Sequence, residues 1–146
     1  MKILVINGPN LNNLGRREIG HYGSNTLSEI EDLIRSKAAE LQVEVEFFQS
    51  NHEGAIVDYL QSASVNSSGI IINAGALTHY GLSLRDALLD VALPVIEVHL
   101  SNIHAREQFR HHSVIVDIAI GQIVGLGSHS YLLALEYLAH EINKGT

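Results

Sequence analysis

The chain has 146 residues and 16.0 kDa, with 46% hydrophobic and 17% charged residues, which excludes a disordered chain and is the size of one domain, expected over 1–146. Its formal net charge of −7 argues against a nucleic-acid or anionic-membrane binder, and the absence of Cys excludes disulfides, thiolate metal sites and thiol nucleophiles. Ile3-Leu4-Val5-Ile6 is too short for a secretory h-region, and no apolar run reaches membrane-spanning length, so a cytoplasmic location is expected.

Apolar runs of strand length alternate with helical patterns. Residues 3–6 read as a buried strand, followed by a loop over 7–25. Thr26 and Glu29 have capping-box spacing ahead of Leu27, Ile30, Leu33, Ile34, Ala38 and Leu41, an amphipathic helix. Residues 43–48 give a second strand. Ser50 and Glu53 repeat the capping-box spacing before Ile56, Leu60 and Ala63. Strands are then predicted at 70–72, 95–98 (opened by Pro94) and 123–124, and helices at 82–91, 106–110 and 130–143, the last stopped by Gly145. Continuous apolar strands separated by helices indicate a parallel sheet covered on both faces. The expected class is α/β, a flavodoxin-like doubly wound sandwich with a five-stranded parallel sheet. Ligands bind such folds outside the carboxyl ends of the strands, which directs attention to 7–25, 73–80 and 99–110.

Those segments exclude several chemistries. The loop after the first strand, Asn7-Gly8-Pro9-Asn10, lacks the glycine pattern of a dinucleotide or phosphate loop, and Gly125-Leu126-Gly127 is explained by a tight turn. Nine histidines invite a metal, yet no His-Glu-x-x-His pattern occurs, so no metal is expected. Lys2, Lys37 and Lys144 are poorly placed for a Schiff base, since Lys2 starts a strand and the others sit on helices remote from the site loops. Six of the nine cations are Arg, and Arg16/Arg17 and Arg106/Arg110 fall among His, Tyr and Asn, a composition suited to a small anion; neutralisation of an acidic surface is the alternative.

Metal-free proton transfer remains. A tyrosine titrates near 10 in water, so Tyr22 can act as a base only beside a cation such as Arg17, and lowering such a group by ~2 units requires roughly 3 kcal/mol. Gly15, Gly20 and Gly23 would let that loop close over a ligand. His99, just after a strand, suits a general acid; Asn10 and Asn73 could bind an oxyanion or hydroxyls. Each has a plainer reading: a surface aromatic for Tyr22, a backbone-bonded core residue for His99, turn formation for the asparagines.

These residues together resemble the type II 3-dehydroquinate dehydratases. The matching motifs are Ile6-Asn7-Gly8-Pro9-Asn10-Leu11-Asn12, Leu14-Gly15-Arg16-Arg17-Glu18, Tyr22-Gly23, Ile72-Asn73-Ala74-Gly75-Ala76-Leu77-Thr78-His79, Glu97-Val98-His99-Leu100-Ser101-Asn102 and Arg106-Glu107-Gln108-Phe109-Arg110, and the resemblance covers essentially the whole chain. It implies reversible anti elimination of water from 3-dehydroquinate through an enolate, without a cofactor, in a homododecamer built of four trimers. By the same resemblance Tyr22 is the base, Arg17 holds it as tyrosinate, and Asn10 stabilises the enolate. His99 is then the proton donor, with Glu97 as its orienter. Asn73, His79 and Arg110 would hold hydroxyls, the backbone amides of Leu100 and Ser101 the carboxylate, and Asp86 would reach a neighbouring subunit's site. Arg106 has no single assignment: lid contact, subunit contact and surface ion pair all fit. Ile19-Gly20 replaces the proline common after the Arg-Glu of the family's lid, which implies a looser lid. The rival readings are a non-catalytic small-carboxylate-binding protein of the same fold and a purely structural domain.

Overall fold

The computed structural model describes residues 1–16 and 19–145. Five strands, β1 (Lys2–Asn7), β2 (Glu44–Gln49), β3 (Gly69–Asn73), β4 (Val95–His99) and β5 (Gly121–Val124), pair in parallel in the order β2-β1-β3-β4-β5. This is the flavodoxin-like α/β arrangement. The helices are α1 (Ile19–Tyr22), α2 (Leu27–Leu41), α3 (Glu53–Ala63), α4 (Leu82–Val91) and α5 (His129–Lys144).

Side-chain alternation along the central strands divides the core in two. Ile3, Val5, Ile71, Ile96 and Val98 point to one face, where α2 and α5 cover them with Ile30, Ile34, Leu135 and Leu138. Leu4, Ile6, Ile70, Ile72 and Val95 point to the other, under Ile56 and Leu60 of α3 and Leu84 and Leu88 of α4. Strands buried on both faces account for the continuous apolar runs. β2 lies at the edge and reads differently, with Glu44 and Glu46 in alternation.

The Thr26–Glu29 capping box forms as expected, with the Glu29 N–H donating to Thr26 Oγ1 and the Glu29 carboxylate accepting from the Thr26 N–H. The second one does not. His52 is the N-cap of α3, Ser50 Oγ accepts from the His52 N–H, and Glu53 reaches across to accept the Leu84 N–H at 3.0 Å. Glu53 thus satisfies an orphan donor of α4 rather than of its own helix, a choice set by the packing of α3 beside α4. Three further expectations are corrected. Residues 106–110 form no single helix: two 3₁₀ turns, Ile103–Ala105 and Gln108–Arg110, flank an extended Arg106. The segment 7–25 holds a 3₁₀ turn (Leu11–Asn13) and the one-turn helix α1, and β5 begins at Gly121. No helix among the described residues is long and apolar enough to cross a membrane.

Candidate active site

Order 2-1-3-4-5 reverses direction between β1 and β3, and the chain opens a crevice at such a point. A cavity of ≈ 140 Å³ lies there, beyond the carboxyl ends of β1, β3 and β4. Two glycines let the loops beside it approach closely. A Cβ on Gly8 would stand 2.3 Å from the Ala74 oxygen, and one on Gly75 (φ +59°) 2.9 Å from the Pro9 oxygen. The loops after β1 and β3 therefore meet backbone to backbone, joined by the Gly8 N–H donating to the Asn73 oxygen at 2.8 Å.

Asn10 stands on the first of these loops in the left-handed region (φ 70°), which asparagine tolerates better than most residues. Its N–H donates to Asn51 Oδ1 at 2.9 Å, and Gln49 Nε2 donates to the same oxygen.

His99 ends β4, almost fully buried, with an imidazole Nε2 2.5 Å from Glu97 Oε2. Residues two apart on a strand share a face, so the sequence alone places this carboxylate beside the ring. Glu97 is 0% exposed and also accepts from Thr78 Oγ1 (2.7 Å) and Ser113 Oγ (2.8 Å). Burial pushes its carboxyl up, but hydrogen bonds from His99, Thr78 and Ser113 and the charge of His99 outweigh it, holding the group below the ordinary carboxylate range. The result is a buried anion that fixes the ring, presents Nε2–H to Glu97 and leaves Nδ1 as its other polar atom. Ser130 Oγ holds the His99 carbonyl at 3.2 Å.

His79 also lines the cavity. Burial is the main cause that lowers its pKa, assisted by His99 and Arg110, so the ring is neutral at neutral pH. Nδ1 lies 2.8 Å from the His112 carbonyl and must donate to it, which makes Nε2 an acceptor.

Tyr22, at the end of α1, also lines the cavity and packs partly on the core. The guanidinium of Arg106 sits over its ring, 5.2 Å from the centroid, and Arg106 Nη1 lies 3.4 Å from Ser101 Oγ. Of the options for Arg106, a contact with the Tyr22 segment is the one seen among the described residues. Arg110 lines the cavity with Nε 2.5 Å from Glu107 Oε2. Leu100 and Ser101 line it as well, whereas Asp86 lies on the exposed face of α4, outside the cavity of its own chain. Arg17 falls outside the described residues.

Three contributors went unnoticed in the sequence. Thr78 and Ser113 are dispersed hydroxyls whose convergence on Glu97 depends on tertiary structure. Tyr131, on the first turn of α5, reads in sequence as one apolar position of a helical stripe. Its hydroxyl bridges Asn7 Oδ1 (2.5 Å) and Asn73 Nδ2 (2.9 Å), and burial pushes its phenol well above the ordinary range. Asn7 Nδ2 is buried without a hydrogen-bond partner, at a cost of about 1–3 kcal/mol. Among the described residues no group of three or more His, Asp or Glu is placed to hold a metal ion.

Residues 1–139 match the family model for class II dehydroquinases. The chain belongs to that family. It is 55% identical over 145 residues to a 3-dehydroquinate dehydratase of Halothermothrix orenii, covering 99% of this chain and 98% of the other. A 3-dehydroquinate dehydratase of Roseiflexus castenholzii is 60% identical over 138 residues, 94% of this chain and 88% of that one. The crystal structure of a type II dehydroquinase from Butyrivibrio crossotus superposes with a TM-score of 0.92 at 50% identity, covering 94% and 97% of the two chains. Family membership makes this an enzyme, a hydro-lyase.

Proposed function

We propose that the chain catalyses the dehydration of 3-dehydroquinate to 3-dehydroshikimate by anti elimination through an enolate, within the shikimate or quinate pathways. The observation that carries this reading is one cavity lined by both a tyrosine and a histidine held by a buried carboxylate, in a chain of this family along nearly its whole length. Tyr22 takes the proton beside the ketone. The C–H electrons move into the enolate, whose oxygen Asn10 stabilises; the C–O bond then breaks as His99 gives its proton to the departing hydroxyl, releasing water. Glu97 orients His99, and Arg17 supports negative charge on Tyr22. Asn73, His79 and Arg110 hold substrate hydroxyls, with His79 Nε2 accepting, and the amides of Leu100 and Ser101 take the carboxylate.

Asp86 belongs, on this reading, to a neighbouring subunit's site within a homododecamer. Supporting this, it lies between exposed Leu82 and Leu89 at i+4 and i+7 on α4, so an acidic group is centred on an apolar stripe suited to burial against another chain. Sedimentation velocity on the purified chain, with a species near twelve subunits expected, checks the assembly.

The test of activity is direct. Purified protein is mixed with 3-dehydroquinate without added metal or cofactor, and ultraviolet absorbance of the conjugated enone product is followed. Turnover that survives chelator, and borohydride in the presence of substrate, is expected. Binding without turnover would instead favour a silent carboxylate-binding pocket.

A further inference from the structure

At the ends of β1 and β3 the register places Asn7 directly beside Asn73, and the Tyr131 hydroxyl touches both carboxamides from the first turn of α5. The donor–acceptor polarity of this cluster is forced. The Gly75 backbone N–H can only donate, and it lies 3.2 Å from one terminal atom of Asn73, which is therefore Oδ1. The other atom, 2.9 Å from Tyr131, is Nδ2 and donates to the phenol oxygen. Tyr131 has one proton, and it must go to Asn7, whose facing atom is therefore Oδ1. Asn7 Nδ2 is left over without a partner, as the structure records. Burial keeps the phenol protonated, so the polarity does not change over the working pH range.

Asn73 itself lines the cavity, and one Nδ2 hydrogen is the donor it has left after the bond to Tyr131. We propose that Tyr131 is a positioning residue for the reaction: its hydroxyl, anchored on Asn7, locks the Asn73 carboxamide in the orientation that leaves an Nδ2 hydrogen to donate to the substrate. This deepens the substrate reading above and rests on it. A core position needing only volume would be served by phenylalanine with apolar neighbours at 7 and 73. Instead three polar side chains, all at least 97% buried, are retained, with the Asn7 Nδ2 amide left without a partner beside cavity-lining Asn73. Beside the Asn73 donor, His79 offers Nε2 as an acceptor, so one cavity presents both polarities to a polyhydroxylated ring.

Tyr131→Phe removes the hydroxyl and keeps the ring. The expected result is a KM for 3-dehydroquinate raised about 10-fold, with kcat changed less than about 2-fold and an unaltered pH profile. In a double-mutant cycle, adding Tyr131→Phe to Asn73→Ala should raise KM no further, because the tyrosine acts through the asparagine. Leu135→Val, on the same buried face of α5 and remote from the cavity, should lower Tm without moving KM. Should Tyr131→Phe not fold, Asn7→Leu frees the phenol proton to turn toward Asn73 and should also raise KM. Unchanged KM in Tyr131→Phe or, in that case, in Asn7→Leu overturns the proposal, as do effects that multiply in the cycle. The unsubstituted chain is assayed alongside. If it lacks turnover the dehydratase reading fails on its own, and the same cycle is then read from calorimetric Kd values for 3-dehydroquinate, with a 10-fold weakening expected and equal Kd values overturning it.

Discussion

The two sides of the cavity are built on different principles. The histidine side grows out of the sheet: Glu97 and His99 are core residues of β4, their polar atoms bonded by Thr78, Ser113 and Ser130 from three other parts of the fold. The tyrosine side is a four-residue helix, with Ile19 63% exposed and Gly15 and Gly23 at positive φ on either side. On the proposed mechanism the proton donor must be in place before the leaving group departs, and a buried network would hold it without reorganisation. The proposed base, if it also covers the ligand, has to admit that ligand first, which a short segment outside the core permits.

The largest effect expected from breaking this contrast falls on the tyrosine side. Tyr22→Phe should lower kcat by about 10²–10⁴-fold while leaving substrate affinity nearly intact, since only the proton transfer is lost; stopped-flow turnover beside calorimetric binding checks both, and retention of more than a few per cent of activity would overturn Tyr22 as base. Next comes the histidine side. Glu97→Gln should lower kcat/KM on the order of 10²-fold, because the charge is lost and the new amide NH2 faces either Ser113 or both His99 Nε2 and Thr78.

A gentler change sharpens the same comparison. Ser113→Ala removes one donor to Glu97, whose folded-state pKa lies below its unfolded value. Such a carboxylate contributes stability that is complete above the unfolded pKa of about 4.3 and lost as pH falls through the folded value. The variant should therefore lose activity and stability at a higher pH on the acid side, with the neutral plateau changed little; an acid limb identical to that of the parent chain would contradict the role given to Ser113.

His79 has the reverse sign. Its folded pKa is lowered, so the unfolded chain binds the extra proton and stability declines as pH drops below about 6.5. His79→Gln should flatten that decline in urea titrations run across the window between the two values. The smallest effect belongs to Ile19→Pro. Ile19 opens α1, where proline fits, so a gain of about 0.4–1 kcal/mol in order of the segment should appear as slower proteolysis near residue 20 and a slightly lower KM. Unchanged values for both would remove the idea of a looser lid.

How far the sequence carried this reading depended on how local each signal was. β1, β3 and β4 were visible because burial on both faces demands unbroken apolar runs, and the Thr26 cap because all its partners lie within four residues. Glu97 entered only through the family resemblance, although its place two residues before His99 on one strand is an equally local signal. Ser50–Glu53 misled because the competing partner, the Leu84 N–H, is 31 residues away. Thr78, Ser113 and Tyr131 were hidden likewise: a hydroxyl in a sequence does not announce which strand end it will meet. Residues 106–110 failed as a helix because the extended Arg106 turns toward Ser101 and Tyr22 instead of continuing the turn before it.

The back-to-back contact of Gly8 with Ala74 and of Gly75 with Pro9 also bears on redesign. At these two points backbone meets backbone, so no side chain can be trimmed there by the large-to-small exchanges that usually admit bulkier molecules. Adding even a methyl group at residue 8 would wedge apart the strand ends that carry Asn7 and Asn73. New selectivity in this scaffold is better sought at other lining residues, such as Ile103.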